Sequence, residues 1–205
     1  MKGLLFIDGD PPKALPDLEG YDKIGCTDGA LVYLKRLNFP FDKLDFVSGD
    51  FDSLSQELLS EVKPKLVFTP DQNFTDFEKA LDILKKLGAE NVDVLGASGG
   101  EQDHYLGNLS AALRFKEHLN LRFYDHYSTY FFLSKQATLE GVKGKMISLV
   151  PFPKATRIST TGLKWPLHDE DLEFGIRIGT RNQAIEDLVS IKFDSGELLV
   201  FIGKE

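Results

Sequence analysis

One cysteine, two methionines, one tryptophan and four histidines are all that 205 residues contain of the scarce, reactive side chains. A single thiol, Cys26, excludes an internal disulfide and any cysteine-based metal cluster, and suits a reducing compartment, the cytosol. Inside the apolar stretch Lys23–Cys26, that thiol reads as a small buried hydrophobe. Long apolar runs are also missing. Leu4–Ile7 is stopped by Asp8, too short for a leader peptide, and no run approaches the ~18 residues of a membrane span. Positive charge is in deficit: 24 Lys and Arg face 32 Asp and Glu, a net charge of −8. Duplex nucleic acid and anionic membrane both require a basic face, so neither is expected as a partner.

The acid is unevenly placed. Residues 1–125 hold 22 acidic against 14 basic residues, whereas residues 126–205 are balanced at 10 and 10. Of the 22, 15 are Asp, the shorter carboxylate, which favours loops, caps and metal sites over helix interiors. At 42% apolar and 27% charged, the chain is otherwise ordinary for a globular protein long enough to bury its own core.

Two textures follow one another along the chain. Up to about residue 126, short apolar runs (Leu4–Ile7, Lys23–Cys26, Leu44–Val47, Leu66–Phe68, Val92–Leu95, Leu121–Tyr124) alternate with helical patterns near 29–38, 54–62, 75–87 and 103–118. Phe74, Phe77, Leu81 and Leu84 share one helix face, and Thr75 with Glu78 forms a capping box that starts that helix. This predicts an α/β fold, a mostly parallel sheet flanked by helices. Beyond 126 the segments 145–150, 155–160, 172–178, 188–193 and 198–202 are short, often alternating, and separated by turns. They predict a smaller all-β sandwich. We therefore expect an α/β domain over 1–126 and a β-sandwich domain over 127–205.

Ligands of open parallel sheets bind beyond the carboxyl ends of the strands. Asp28, Asp50, Asp52, Asp71 and Asp76 fall at such ends or at the next helix start. Carboxylates converging on one rim repel unless a cation sits among them, and Mg²⁺ takes one or two carboxylates plus phosphate oxygens, so the pattern suggests a magnesium–phosphate site. Each Asp taken alone also fits a helix cap. Asp8 and Asp10 precede Pro11-Pro12 with no helix to receive a phosphate, and read as plain loop residues. The run Gly96-Ala97-Ser98-Gly99-Gly100 sits between a strand and a helix, as a phosphate cradle or a tight turn. Asp103 opens the following helix, and His104 and Asn108 share one of its faces. Trp165, beside Pro166, leaves a strand for a loop, where its ring either joins the core or stacks on a heterocycle or cation. Gly179-Thr180-Arg181-Asn182 reads as a turn.

Taken in order, Asp28-Gly29-Ala30, Gly49-Asp50-Phe51-Asp52-Ser53, Thr69 to Leu81, Gly96 to Asn108 and Thr161-Gly162-Leu163-Lys164-Trp165-Pro166-Leu167 resemble the thiamine pyrophosphokinase family. The resemblance spans most of the chain. It implies an α/β nucleotide domain followed by a β-sandwich, a homodimer with thiamine between subunits, and the reaction of ATP with thiamine to AMP and thiamine diphosphate. Carried over by position, Asp50, Asp52 and Asp76 are the Mg²⁺ and pyrophosphate cluster, with Asp28 beside them. Asp71, Gln72, Thr75 and Lys79 lie where the family meets ATP and the thiamine hydroxyl region. Ser98, Gly99, Asp103, His104 and Asn108 are further nucleotide-site residues, and Trp165 and Asn182 are on the thiamine side, reaching a partner subunit's site. The chain departs from the family at Glu101, where an Arg usually follows the double glycine, so Lys79 and Arg181 become the candidate cations. It departs also at Leu31, where an Asn is usual, and at Gly179 to Asn182, where two serines are lost. Two other functions fit the same residues: a thiamine or nucleotide sensor without turnover, and a pyrophosphotransferase for another heterocyclic alcohol.

Overall fold

The computed structural model describes residues 1–52 and 54–204, so Ser53 of the Gly49–Ser53 motif lies outside the described residues. The chain divides into two compact units, Met1–His126 and Tyr127–Glu205.

In the first unit six strands, β1 (Lys2–Phe6), β2 (Lys23–Thr27), β3 (Phe46–Gly49), β4 (Leu66–Phe68), β5 (Asn91–Leu95) and β6 (Asn120–Tyr124), form a sheet in the order β4-β3-β2-β1-β5-β6. Every neighbouring pair in it is parallel. Residues 3–6, 24–27 and 92–95 are buried without alternation, because a parallel strand is covered on both faces. Among the described residues four α-helices, α1 (Ala30–Arg36), α2 (Gln56–Val62), α3 (Asp76–Lys86) and α4 (Gln102–Phe115), and two short 3-10 helices, Phe41–Lys43 and Lys63–Lys65, lie in the connections between strands. The expected capping box starts α3: Thr75 Oγ1 accepts from the Glu78 N–H at 3.2 Å, and Glu78 Oε2 accepts from the Thr75 N–H at 2.9 Å. Its buried side chains are Phe77, Ala80, Leu81 and Leu84. Phe74, assigned by spacing to that face, precedes the cap and is exposed.

The direction of strand order reverses between β1 and β5. The sheet grows from β1 to β2, β3 and β4 on one side, and through β5 to β6 on the other. Chains leaving the carboxyl ends of β1 and β5 part there and open a crevice, the general ligand position of such sheets.

Cys26 is fully buried in the core of this unit among Phe6, Ile24 and Val47. Burial, with Asp28 nearby, pushes its thiol far above the ordinary range. Alkylation by iodoacetamide at pH 8 should therefore be at least about a hundredfold slower in the native protein than in guanidinium, since the thiolate is the nucleophile. Intact-mass spectrometry over time checks this.

The second unit is all-β: β7 (Ser128–Phe132), β8 (Gln136–Leu139), β9 (Met146–Thr161), β10 (Glu170–Glu173), β11 (Gly179–Gln183), β12 (Val189–Lys192) and β13 (Ser195–Gly203). Strand β13 lies between β7 and β9, β12 lies between β9 and β8, and β10 and β11 also pair with β9, all antiparallel. The segments 145–150 and 155–160, read as two strands, are one 16-residue strand. Pro151 and Pro153 sit where it exchanges neighbours and where its register with β13 shifts between Gly196 and Leu198. Proline is tolerated at such irregularities because no ladder N–H is required there. Gly179 to Asn182 is likewise a strand and not a turn: a register shift lies between Gly179 and Asn182, and Arg181 has φ 57°. A bulge has the same sequence chemistry as a turn.

Candidate active site

At the crevice lies a cavity of about 690 Å³, built wholly from the first unit. Its walls come from the residues after β1 (Ile7, Asp8, Gly9), the end of β2 (Thr27, Asp28), Asp50 after β3, the Gln72–Lys79 stretch entering α3, and the Gly96–Asn108 stretch entering α4.

Of the residues singled out in the sequence, Asp28, Asp50, Gln72, Thr75, Asp76, Lys79, Gly99, Asp103, His104 and Asn108 line this cavity. Asp52, Asp71 and Ser98 adjoin it without lining it. Asp52 lies beside Asp50, Asp71 Oδ1 accepts from the Asn73 N–H at 2.9 Å, and the Ser98 carbonyl accepts from the Asp10 N–H at 2.8 Å. Trp165 and Asn182 belong to the second unit.

Asp28 is nine-tenths buried, and both of its oxygens accept backbone hydrogen bonds. Oδ1 takes the Gly29 N–H at 2.9 Å and Oδ2 the Phe51 N–H at 3.1 Å. Burial raises its carboxyl above the usual range, the two N–H donors oppose that, and Asp76 and Asp50 add to it. A side chain at Gly49 would collide with this carboxylate, 2.2 Å from its Cγ, so the glycine makes room for it. Phe51, at φ 66°, is held by the Asp28 bond in a conformation that bulky residues avoid. That turn points Asp50 into the cavity and leaves Asp52 beside it. The two carboxyls act on each other: Asp52 chiefly lowers the Asp50 carboxyl, and Asp50 raises that of Asp52. Gln72 Nε2 also donates to Asp50, at 3.3 Å.

The Lys79 side chain is 11% exposed, and its ammonium donates to the Thr69 carbonyl at 2.8 Å and the Asp71 carbonyl at 3.2 Å while pairing with Asp76 at 2.7 Å. An ammonium has three donors, and these three oxygens use them. The lysine thus ties the loop after β4 to α3 and holds Asp76.

On the opposite wall Asn108 Nδ2 donates to the Ala97 carbonyl at 2.9 Å, which fastens the glycine-rich turn to α4. His104 Nε2 lies 3.3 Å from Glu101 Oε2. Ligand atoms of Glu101, Asp103 and His104 fall within 4.8 Å of one another, whereas the oxygens of Asp50, Asp52 and Asp76 are not gathered so closely. Sequence reasoning missed Asp8, an exposed residue of the cavity wall. Burial chiefly, and then Asp28, raises its carboxyl, opposed by His104. The D-x-D spacing was its one visible signal.

In the second unit, Asn182 brackets the Trp165 backbone: its Oδ1 accepts from the Trp165 N–H at 3.1 Å and its Nδ2 donates to the Trp165 carbonyl at 2.6 Å. The indole is 57% exposed, with the Lys164 ammonium 4.8 Å over its ring. The core alternative for Trp165 is thereby removed, and an exposed aromatic face remains.

Residues 18–124 match the model of the thiamin pyrophosphokinase catalytic domain, and residues 134–198 that of the thiamin pyrophosphokinase vitamin B1 binding domain. The chain belongs to the thiamin pyrophosphokinase family. Thiamin pyrophosphokinase 1 of Caenorhabditis elegans is 31% identical, over 83% of this chain and 74% of its own length. Thiamine pyrophosphokinase of Bacillus subtilis is 26% identical over 98% of both. Among solved structures, a thiamin pyrophosphokinase family protein of Enterococcus faecalis superposes with a TM-score of 0.85 at 24% identity, each chain covered completely. The thiamin pyrophosphokinase of Candida albicans superposes at 0.87 and 17% identity, covering 100% of this chain and 89% of its own. These two likenesses establish a shared fold. The family's two-domain layout corresponds to the α/β unit and the β unit described above.

Proposed function

We propose that this chain transfers the pyrophosphoryl group of ATP to the primary hydroxyl of thiamine, giving AMP and thiamine diphosphate, and that Asp50, Asp52 and Asp76 hold Mg²⁺. The observation that carries this reading is the charge of the cavity wall. Six carboxylates line it (Asp8, Asp28, Asp50, Asp76, Glu101 and Asp103), and its one lysine is committed to Thr69, Asp71 and Asp76. A triphosphate enters such a cavity only with accompanying cations. Hard oxygen donors on two separate segments, Asp50 and Asp52 after β3 and Asp76 at the start of α3, fit Mg²⁺, and the buried Thr27 hydroxyl in the wall has no partner among the described residues. When bound, the metal supplies the charge neutralisation that phosphoryl transfer requires.

The protein's own residues do the positioning. Asp28 fixes the Asp50–Asp52 turn, Lys79 fixes Asp76, and Asn108 fixes the Gly96–Gly100 turn, whose N–H groups face phosphate oxygens. An ionised Asp in the wall accepts the thiamine hydroxyl proton as the oxygen attacks the β-phosphorus in line. The acidic wall also suits the cationic thiazolium. Trp165, braced by Asn182, covers a thiamine ring face in the site of a second subunit, which makes the working form a homodimer. A single thiol, Cys26, supports a cytoplasmic location in this reading. Among the described residues no helix is long and apolar enough to cross a membrane.

The test is AMP release from ATP, which should require both thiamine and Mg²⁺ and stop on adding EDTA. Tight thiamine binding by calorimetry without AMP formation would turn the reading into a sensor.

A further inference from the structure

Phe74 directly precedes the Thr75 cap of α3 and lines the cavity. Ile7, Phe77 and Ala97, also in the wall, are buried, whereas Phe74 is 45% exposed. It is nevertheless held in place. The Thr75–Glu78 capping box fixes the backbone one residue further on. The Arg114 guanidinium lies over the ring, 5.3 Å from its centroid, and pairs with Glu78, so α4 reaches across to α3 at this point. The α4 face that carries Arg114 also leaves room. Gly107, two turns earlier on that face, lines the same cavity, and a Cβ there would meet nothing within 4 Å among the described residues. A wall otherwise rich in carboxylates thus presents one accessible aromatic face. Such a face attracts a planar ring, because every heterocycle has a π-face to stack on it. The cation over the phenyl ring already draws on its negative quadrupole, so a neutral ring is favoured there over the cationic thiazolium.

Resting on the function proposed above, we infer that Phe74, backed by Arg114, is a substrate-binding residue, the platform on which the neutral heteroaromatic ring of one substrate stacks. Two sources carry such a ring: the adenine of ATP and the aminopyrimidine of thiamine. Phe74→Leu keeps an apolar side chain of similar reach and removes the flat face. The residue is exposed and lies outside α3, so the melting temperature should stay within about two degrees of wild type. Affinity should fall about tenfold for one substrate and stay within about twofold for the other. The affected substrate names the source of the ring. Phe74→Tyr, which keeps the ring, should recover wild-type affinity.

Calorimetric titration of each variant with thiamine, and separately with a non-hydrolysable ATP analogue and Mg²⁺, makes the measurement without relying on turnover. Magnesium tripolyphosphate, which offers phosphates and no ring, is the third probe and should bind wild type and Phe74→Leu alike. A wild-type protein that binds but releases no AMP would refute the proposed reaction and leave the Phe74 comparison intact. Phe74→Leu binding both substrates as tightly as wild type would overturn the inference. So would an equal loss for both substrates, a loss for tripolyphosphate, or a loss in Phe74→Tyr as large as in Phe74→Leu, since each of these reports a disturbed loop before α3 in place of a lost ring face.

Discussion

Asp50→Asn should lower kcat by about a thousandfold and leave the fold untouched. Electrostatic groups that stabilise a developing charge are typically worth 10²–10³ in rate, and metal-held phosphate lies at the upper end of that range. Asp50 lines the cavity, with Asp52 beside it. Asparagine preserves its size and an oxygen for the Gln72 amide to donate to, but removes the charge a cation would meet. The site is open to solvent and the turn is anchored through Asp28, so the melting temperature should move by no more than a degree or two. Asp52→Asn removes the carboxylate beside Asp50, and its loss should be of the same order.

Asp42 supplies the control. It is exposed and outside the cavity, and Asp42→Asn makes the same change in net charge. If the acidic excess acted only as a diffuse field, the two variants would behave alike. Steady-state AMP release across a Mg²⁺ titration separates them: an Asp50→Asn enzyme within tenfold of wild type at saturating metal would remove the assigned role. The net charge of −8 then means less than it did as a composition figure. Much of the excess acid of the first unit is local to one crevice, where substrates arrive with cations.

Strands β1, β2 and β5 were legible because a parallel strand buried on both faces leaves a continuous apolar run, as in Leu4–Ile7. The start of α3 was legible because Thr75 and Glu78 satisfy each other's backbone within four residues. Both signals are local. In the second unit the decisive events are not. Strand β9 changes partners near Pro151 and Pro153, and β11 bulges at Arg181, so one strand read as two and another read as a turn. The site divides in the same way. Asp28, Asp50 and Asp76 were visible because each follows an apolar run or opens a helix. Asp8 was set aside for want of a helix after it, yet the wall it joins comes from the β5 turn, about 90 residues away. Thr27 looks like any β-branched strand residue. Lys79 reads as a free cation until the Thr69 and Asp71 carbonyls are found on its ammonium.

Gly96→Ala should be the most damaging single methyl that the chain can receive in its first unit. Gly96 has φ +78°, and an added Cβ would lie 2.0 Å from the Ile7 carbonyl oxygen. That oxygen is not free to move. It accepts from the Tyr33 hydroxyl at 3.1 Å and from the Gly9 N–H at 3.1 Å, while the Ile7 N–H donates to the Leu95 carbonyl at 2.9 Å. The chains leaving β1 and β5 are thus in backbone contact at the point where strand order reverses, and the cavity opens from that contact. Left-handed backbone alone costs an alanine roughly 1–2 kcal/mol, and displacing fixed backbone adds to it, so about 3 kcal/mol or more of stability should be lost, with turnover falling as Asp8 and Gly99 shift. Two other glycines calibrate the result. Gly100 has φ +64° but open space around it, so Gly100→Ala should show the backbone strain alone, about 1 kcal/mol. Gly107 lies inside α4 with nothing near its Cβ position, and Gly107→Ala should stabilise by roughly 0.5–1 kcal/mol through helix propensity. Urea denaturation of the three variants should therefore rank Gly107→Ala above wild type, then Gly100→Ala, with Gly96→Ala well below. If Gly96→Ala fell no further than Gly100→Ala, the close approach of the two strand ends would not be what shapes the crevice.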